Sequence, residues 1–223
     1  MSLISSSVRI VLHDIEMTLL PDKAIYFVKE KILLASDLHI GKTGHFRNAG
    51  IPIPAELAFA DLNTLDRIFD EFEIEKFIIL GDLFHAELNF DWRILAEWRE
   101  NYKQLQIQLV KGNHDILQES IYKELNIEVF KSMVLNKFLF IHNFNHTDNE
   151  GDFFKICGHI HPAVRLHGKG RQAVTMPCFY FGNSFGILPA FGRFTGKYII
   201  NPKQDQSVFI ITGDGDDKRV LKM

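Results

Sequence analysis

The first half of the chain alternates between short apolar runs and longer stretches with helical periodicity. Polar turns separate three short runs, which is typical of strands: VRIVL, AIYFV and KILLAS. Residues 54–72 carry apolar side chains near helical spacing, and Pro54 suits a first helical turn. The strand KFIIL follows, and then come an amphipathic helix over residues 90–103 and the strand IQLV. This order of strands and helices predicts a sheet covered by helices.

Beyond about residue 127 the pattern is almost entirely that of strands. Short apolar runs alternate with Gly, Pro and Asp turns, and no long helix is predicted: FLFIHN, FKICGH, AVRLH, QAVTMPCFYF, KYIIN and SVFIIT. A short helix near residues 116–123 precedes them. We therefore expect a second, mostly β layer packed on the first sheet. Because no low-complexity linker divides the halves, residues 1–223 are predicted to be a single domain.

Composition and charge are those of a soluble globular protein, since 46% of the 223 residues are hydrophobic and 24% are charged. The formal net charge of −3 provides no global attraction to nucleic acid or acidic lipid, so any such binding must use a local patch. Cys157 and Cys178 give no disulfide framework. The sequence shows neither a secretory signal at its start nor an apolar run long enough to span a bilayer. We expect a cytoplasmic protein that is not associated with membranes.

Polar side chains with ligand chemistry follow five of the predicted strands. Asp37 and His39 follow KILLAS, and Asp82 follows KFIIL. The other three strand ends carry an amide and imidazoles: Asn113 with His114, His142, and His159 with His161. In an open α/β sheet this edge is where loops converge on ligands, because the strands fix the bases of the loops.

These side chains are nitrogen and oxygen donors without a cysteine, which suits Mn, Fe, Zn or Ni better than a thiolate zinc site. Seven of them exceed what one ion holds with room for water, whereas two ions that share a carboxylate would use them all. Two-metal sites of this kind clamp the attacking and leaving oxygens of a phosphoryl displacement. Each motif has a plainer interpretation alone, since Asp37 could cap a turn and His142 could be a core histidine. The coincidence of five such endings favours the metal site.

The order DLH, GD, GNHD, H and GHIH, from Asp37 to His161, resembles the calcineurin-like metallophosphoesterase superfamily. The resemblance implies an α/β (α+β) fold, a four-layer αββα sandwich of two packed mixed β-sheets flanked by helices. It also implies two divalent metal ions at the strand ends. By this resemblance Asp37, His39 and His161 would hold the first ion, Asn113, His142 and His159 the second, and Asp82 would bridge them. We expect Mn²⁺, with Fe, Zn, Ni or Mg as alternatives, because such donors accept several ions.

The same resemblance assigns catalytic roles. His114 would act on the phosphate rather than on a metal, and we expect Asp115 to orient it through its second ring nitrogen. His85 stands where many members carry Asp or Arg. GDLFH at this place is similar to the nuclease subunit of the double-strand-break repair complex, in which this histidine serves phosphodiester cleavage. The alternative is that His85 caps its loop or binds a neighbouring carboxylate.

Flanking segments are similar to the bacterial ligase-associated DNA damage response endonucleases (PdeM-type): SDLHIGKTGHFRNAGIPIP, LGDLFHAE, CGHIHPAVRL, MPCFYF and LPAFGRFTG. This similarity implies DNA as the substrate and a repair ligase or helicase as a partner. We predict that Lys42, Arg47 and Arg165 bind substrate, joined by Lys169 and Arg171, because these cations could form the required local patch. HGKGR at residues 167–171 could equally be a solvated hairpin turn.

The sequence thus predicts a metal-dependent phosphodiesterase, and more specifically an endonuclease acting on DNA in repair. Two ions would lower the pKa of a shared water, and the resulting hydroxide would attack while His114, with His85, protonates the leaving oxygen. Two alternatives use the same fold: a small-molecule phosphodiesterase or nucleotide phosphatase, and a non-catalytic scaffold. The complete set of ligand residues disfavours the scaffold.

Overall fold

Two β-sheets organise the computed structural model, which describes residues 3–85, 87–144 and 152–223, with the backbone alone at positions 55, 171 and 216. The first sheet has seven strands in chain order. They are β1 (Val8–Leu12), β2 (Ile15–Leu19), β3 (Ile25–Phe27), β4 (Ile32–Ala35), β5 (Lys76–Leu80), β6 (Gln106–Val110) and β7 (Ile127–Phe130). The strands β1 to β4 pair antiparallel, and β4 to β7 pair parallel. The carboxyl ends of β4, β5 and β6 therefore meet at one edge.

The second sheet has nine strands. They are β8 (Met133–Leu135), β9 (Phe138–Phe140), β10 (Phe154–Cys157), β11 (Pro162–His167), β12 (Ala173–Phe181), β13 (Phe185–Ile187), β14 (Tyr198–Ile199), β15 (Ser207–Thr212) and β16 (Arg219–Lys222). Seven lie in the order β14-β11-β12-β13-β10-β9-β8, while β15 pairs with β12 and β16 pairs with β15. Because β9, β10 and β13 run parallel, the segments after β9 and β10 leave the sheet on the same side.

Alternate residues of the first sheet face opposite layers. In β4, Ile32 and Leu34 pack against the second sheet, whereas Leu33 and Ala35 pack in the cluster that includes the helices. Both sheets contribute to the layer between them, and the second sheet supplies six rings to it: Phe138, Phe140, Phe154, Phe179, Phe181 and Phe209. Because both faces of β4 are covered, its sequence is continuously apolar instead of alternating.

Five α-helices lie in the described residues: α1 (Leu3–Ser6), α2 (Lys42–Asn48), α3 (Ala60–Glu71), α4 (Phe90–Glu100) and α5 (Glu119–Glu124). The helices α3 and α4 bury an apolar stripe against the outer face of the first sheet: Leu62, Leu65, Ile68, Ile94, Leu95 and Trp98. The side chain of Asn89 caps α4 by accepting the backbone N–H of Asp91 at 2.9 Å. In the part of the chain that is described, no helix is long and apolar enough to cross a membrane.

The expected fold class is confirmed, because the structure is an α/β fold of two mixed β-sheets flanked by helices. The helices α1, α3, α4 and α5 contribute to the core on the outer side of the first sheet. The opposite face of the second sheet carries two smaller apolar clusters, around Cys157 and Cys178. No α-helix of the described residues contributes to either cluster.

Several element boundaries differ from the sequence expectation. The helix predicted over residues 54–72 is a 3-10 turn at Ala55–Ala58 followed by α3, and the helix predicted over residues 90–103 ends at Glu100. The pattern did not predict α2 or the strands β2, β7, β8, β13 and β16. At three residues each, β8 and β13 are too short to show an alternation of apolar and polar positions.

Candidate metal centre

The loops after the parallel strands are joined to one another by backbone hydrogen bonds. In the first sheet the N–H of Asp37 donates to the carbonyl of Gly81 at 3.1 Å, and the N–H of His39 donates to the carbonyl of Asp82 at 2.8 Å. The loop after β4 is therefore fixed to the loop after β5. This pairing holds the two predicted carboxylates on neighbouring loops.

The second sheet brings its histidines to the same place. The N–H of Gly158 donates to the carbonyl of His142 at 3.1 Å, which joins the loops after β9 and β10. The N–H of His159 then donates to Oδ2 of Asp37 at 3.0 Å, across 122 positions of sequence. The two sheets thus contribute ligand side chains to one site.

A first group of ligand atoms belongs to Asp37, His39 and His161, and these atoms all lie within 4.8 Å of one another. Nδ1 of His161 lies 3.2 Å from the carbonyl of Gly196, which can only accept, so the neutral ring carries its proton on Nδ1. Its Nε2 then presents a lone pair to Oδ1 of Asp37, 3.2 Å away. Within the described residues, Nε2 of His161 and Nδ1 of His39 are buried without a hydrogen-bond partner.

A second group belongs to Asp82, His142 and His159, whose ligand atoms also lie within 4.8 Å of one another. Nδ1 of His142 lies 2.9 Å from the carbonyl of Leu80, which fixes the proton on Nδ1 of the neutral ring and leaves a lone pair on Nε2. Oδ1 of Asn113 lies 3.0 Å from this Nε2, and Nδ1 of His159 lies 3.1 Å from it. Asn113 therefore joins the second group through its amide.

The carboxylate of Asp82 lies between the two groups. Its Oδ2 is 3.7 Å from Nε2 of His39 in the first group and 3.5 Å from Nε2 of His142 in the second. Its Oδ1 accepts the backbone N–H of His114 at 2.8 Å, which fixes the orientation of the carboxylate. Oδ2 of Asp82 therefore lies where the oxygen of a carboxylate shared by two ions would be expected.

Burial and local charges determine how these groups ionise. Burial lowers the pKa of His39 to about 3 and also lowers the pKa of His159. Burial alone would raise the pKa of Asp37, but hydrogen bonding and positive charge from the neighbouring His161 and His142, when these are protonated, outweigh that effect and lower this pKa. Neutral imidazoles and an ionised carboxylate are the states in which these side chains bind metal.

The donor set fits two divalent cations. Asp37 is 0% exposed and Asp82 is 2% exposed, and both carboxylates face imidazole nitrogens. Burying a carboxylate is costly unless a cation compensates it. Nitrogen and oxygen donors without a thiolate suit Mn, Fe, Zn or Ni. The two groups form two candidate metal sites, consistent with a dinuclear centre.

Five of the seven candidate ligands hold a backbone conformation that residues with a Cβ adopt only rarely. Their φ angles lie in the left-handed region: Asp37 at 54°, His39 at 49°, Asp82 at 52°, His159 at 66° and His161 at 55°. A residue with a Cβ adopts this region at a cost of about 1–2 kcal/mol. In the segments 37–39 and 159–161, the two polar residues have left-handed backbones and the apolar residue between them does not. Both polar side chains of each segment reach the site.

Glycines beside the ligands leave space for them. A Cβ at Gly81 would overlap the ring of His142, and a Cβ at Gly112 would overlap the carboxylate of Asp82. A Cβ at Gly158 would overlap the hydroxyl of Ser36 and the carboxylate of Asp37. The glycines of the GD, GNHD and GHIH motifs are therefore required by close approach to the ligand side chains.

His114 and His85 lie together beside the first group. Their rings stack with centroids 4.9 Å apart, and the centroid of the His39 ring is 5.1 Å from His114 and 5.5 Å from His85. Burial lowers the pKa of His85 to about 4. Nδ1 of His85 is buried without a hydrogen-bond partner in the described residues, so this atom neither caps the loop nor binds a carboxylate there. The centroid of the ring of the exposed His45 lies 5.3 Å from that of His85.

The expected support of His114 by Asp115 is not what the contacts show. Oδ2 of Asp115 accepts the backbone N–H groups of Asp82 at 2.7 Å and Gly112 at 2.8 Å. Its Oδ1 accepts the N–H of Leu83 at 3.0 Å. The described hydrogen bonds of Asp115 go to backbone N–H groups and to the Tyr122 hydroxyl, and none reaches the His114 ring. Asp115 therefore ties the loop after β6 to the loop after β5.

The three predicted substrate-binding cations have different environments. Lys42 begins α2 and is partly buried; burial lowers its pKa, while the nearby Asp82 acts in the opposite direction. Arg47 donates from Nη2 to the carboxylate of the buried Asp91 at 2.6 Å, which holds α2 to α4. The predicted role of Arg47 in substrate binding stays a prediction.

Arg165 lies on β11, four positions after His161, and is exposed. An extended strand places it on the order of 13 Å further along the chain, so its role stays a prediction. Lys169–Arg171 form a 3-10 turn between the antiparallel strands β11 and β12, as in the hairpin alternative.

No individual roles were assigned from the sequence to residues 191–196, although this segment contacts the site. The N–H of Phe191 donates to the carbonyl of Ser36 at 2.8 Å, and the N–H of Gly192 donates to the carbonyl of Asp37 at 3.1 Å. The carbonyl of Gly196 faces His161 from the same segment. The sequence signal was the run LPAFGRFTG. A Cβ at its Gly192 would overlap the carbonyl of Leu38, so glycine there allows the backbone to approach the site closely.

Comparisons with known proteins agree with this geometry. Residues 30–200 match the family described as Calcineurin-like phosphoesterase, and this span contains all seven candidate ligands. The structure is similar to the crystal structure of Pseudomonas putida nuclease MPE, with a TM-score of 0.77 and 31% sequence identity over 92% of this chain and 96% of that chain. No curated protein matches the chain.

Proposed function

Because the chain belongs to the calcineurin-like phosphoesterase family, we propose that it is a dinuclear metal-dependent phosphodiesterase that cleaves DNA. The observation that carries this proposal is the position of Asp82, whose Oδ2 lies within 3.7 Å of an imidazole nitrogen from each ligand group. A shared carboxylate at the meeting point of two nitrogen and oxygen groups suits paired ions that bind a phosphoryl oxygen.

The roles of the ligands follow from their positions. When bound, two divalent ions lower the pKa of water and neutralise charge on the phosphoryl group. In this proposal Asp37, His39 and His161 hold one ion, Asn113, His142 and His159 hold the other, and Asp82 serves both. We propose Mn²⁺, because imidazole, amide and carboxylate donors suit it, with Fe, Zn, Ni or Mg as alternatives.

His114 acts on the leaving group in this proposal. Its backbone is fixed by Oδ1 of Asp82, and its ring packs against the rings of both His39 and His85. An imidazole N–H at this place donates its proton to the leaving oxygen as the phosphorus–oxygen bond breaks. His85 stacks on His114 and restricts its orientation, and it can also donate to a phosphoryl oxygen.

The choice of a nucleic acid substrate rests on similarity. A solved structure that is 31% identical over nearly the whole chain is titled a nuclease. The flanking segments of the sequence resemble repair endonucleases, which supports DNA over RNA and a repair ligase or helicase as a partner. A small-molecule phosphodiesterase or nucleotide phosphatase is the second candidate, because it requires the same ligands.

The test joins metal analysis to a substrate panel. The protein is freed of metal with a chelator and reloaded separately with Mn²⁺, Fe²⁺, Zn²⁺, Ni²⁺ and Mg²⁺. Each form is then assayed on bis-p-nitrophenyl phosphate, cyclic nucleotides, RNA, and single- and double-stranded DNA. We expect two ions per chain and cleavage of DNA with Mn²⁺. Cleavage of the artificial diester alone would contradict the nuclease proposal, and one ion per chain would contradict the dinuclear centre.

A further inference from the structure

A pocket of about 390 Å³ opens beside the second ligand group. Three candidate ligands line it: Asn113, His142 and His159. Lys111, Lys131 and Ser132 also line it, together with Leu139 and Ile141. A pocket of this size is large enough to admit part of a nucleotide. The candidate ligands and the two lysines therefore face one shared cavity.

Neighbouring strands hold the two lysines side by side. Lys111 follows β6 directly and Lys131 follows β7 directly. The strands are parallel, with Val110 opposite Phe130, and the N–H of Lys111 donates to the carbonyl of Phe130 at 2.8 Å. Adjacent strands are about 4.8 Å apart, so the two backbones are fixed at that separation. Two residues further along, the same loop carries Asn113.

The pocket is lined by positively charged side chains and, among its described residues, by no acidic ones. Both lysines are exposed, and neither forms an ion pair within the described residues. Some other lysines of the described chain are paired with carboxylates, as Lys31 is with Glu73 at 2.6 Å and Lys218 is with Asp22 at 2.6 Å. The described lining of the pocket contains no Asp or Glu. In a chain with a net charge of −3, this is a local cationic site.

We propose that Lys111 and Lys131 bind the phosphate next to the scissile phosphodiester, so that this site favours a polynucleotide over a mononucleotide or an isolated diester. The inference rests on the proposed function and extends it to the substrate class. A phosphodiester bound at the two ligand groups would place one neighbouring nucleotide in this pocket, past Asn113 and His142. The phosphate of that nucleotide then lies beside the ammonium groups of Lys111 and Lys131, which form no ion pair within the described residues. Such contacts position the strand without reading its sequence.

The first experiment compares substrates that differ by one phosphate. A dinucleoside monophosphate has the scissile phosphodiester alone, whereas a dinucleotide with an added 5′- or 3′-phosphate carries a second phosphate on one side or the other. We expect the wild-type protein to show a KM at least tenfold lower for one of the two phosphorylated forms. The Lys111→Ala/Lys131→Ala variant should lose that preference while its kcat/KM on bis-p-nitrophenyl phosphate stays within about twofold.

A matched control separates this effect from a general loss of positive charge. Lys29 is exposed in the turn between β3 and β4. This turn precedes the start of β4, whereas Asp37 follows the end of that strand. Lys29→Ala should leave the preference for the second phosphate unchanged. A double variant that keeps the wild-type preference, or that loses activity equally on all of these substrates, would overturn the proposal.

A binding measurement decides the proposal even if the protein does not cleave DNA. The metal-free protein is titrated with a fluorescent single-stranded oligonucleotide at several salt concentrations. The loss of two phosphate contacts should weaken binding and reduce the slope of log K against log salt by about 1.4 in the Lys111→Ala/Lys131→Ala variant. An unchanged slope would contradict the role of the lysines, whereas absent cleavage with a reduced slope would contradict only the proposed reaction.

Discussion

The backbone N–H of His114 donates to Oδ1 of Asp82 at 2.8 Å, so the proposed proton donor and the proposed bridging carboxylate are parts of one hydrogen-bonded turn. The other oxygen of Asp82 remains directed at His39 and His142. A change at either residue can therefore disturb the other. For this reason, metal content has to be measured beside activity in every variant.

Replacing the His114 ring should remove catalysis without removing metal. His114→Ala keeps the backbone N–H that binds Asp82, so we expect two ions per chain as in the wild type. Without the imidazole proton donor, kcat should fall by about 10²–10⁴-fold. Metal analysis and a DNA cleavage assay measure the two quantities. A variant with both ions and full activity would contradict the assigned role.

Replacing Asp82 should remove both metal and catalysis. Asp82→Ala deletes the oxygen that lies between the two ligand groups, and we expect fewer than two ions per chain together with loss of cleavage. Asp82→Asn is the matched variant, because its amide oxygen can still accept the N–H of His114 while the negative charge is lost. Retained activity in Asp82→Ala would rule out a centre that depends on a shared carboxylate.

Replacing Asp115 should lower the free energy of unfolding more than it lowers the rate of catalysis. Its carboxylate accepts the backbone N–H groups of Asp82, Leu83 and Gly112, so Asp115→Ala leaves buried donors without a partner. We expect the free energy of unfolding to fall by about 3 kcal/mol, measured by urea denaturation. Asp115→Asn keeps one acceptor oxygen and should cost less. A stable Asp115→Ala protein whose activity alone is lost would restore the orienting role expected from the sequence.

Adding a methyl group at Gly158 should displace Asp37. Because a Cβ there overlaps the Asp37 carboxylate and the Ser36 hydroxyl, Gly158→Ala is expected to weaken binding at the first metal site. The readout is a metal titration of chelator-treated protein. Gly168→Ala is the control, since a Cβ there makes only ordinary contacts of 3.8 Å or more. Equal metal affinity in the two variants would contradict the close packing described for Gly158.

Stability should change with pH through Lys23. Its Nζ donates to the carbonyl of Phe191 at 3.2 Å, and burial lowers its pKa from 10.5 to about 8. Between these two values the unfolded chain binds the proton more strongly than the folded one, so this group makes stability rise as pH rises from 8 to 10.5. Urea unfolding at several pH values should show a smaller rise for Lys23→Met. The exposed Lys29→Met is the control, and identical slopes for Lys23→Met and the wild type would contradict the lowered pKa.

The sequence predicted those parts of the site that depend on residue type and local order. Strand ends with Asp37, Asp82 and His159 could be identified because apolar runs stop immediately before them. What it could not predict are contacts between distant segments. Arg47 was predicted to bind substrate, but its ion pair with Asp91, 44 positions away, could not be predicted from the sequence.

The contacts of Asp115 and the pocket lined by Lys111 and Lys131 also depend on distant segments, so the sequence did not predict them either. Asp115 was expected to contact its sequence neighbour, but it binds the backbone of a loop more than 30 positions earlier. Lys111 and Lys131 become neighbours only because β7 pairs with β6, and β7 was not predicted. The apolar pattern of IEVF is too short to distinguish a strand from a loop.

The left-handed backbone at the ligands has a consequence for protein engineering. At Asp37, His39, Asp82, His159 and His161, glycine or asparagine would relieve the conformational cost, and at the two aspartates it would also remove a buried charge. A search for thermostable variants of the metal-free protein would therefore select against the catalytic residues first. Stabilising substitutions should be sought elsewhere in the chain, or in the presence of the ions that offset this cost.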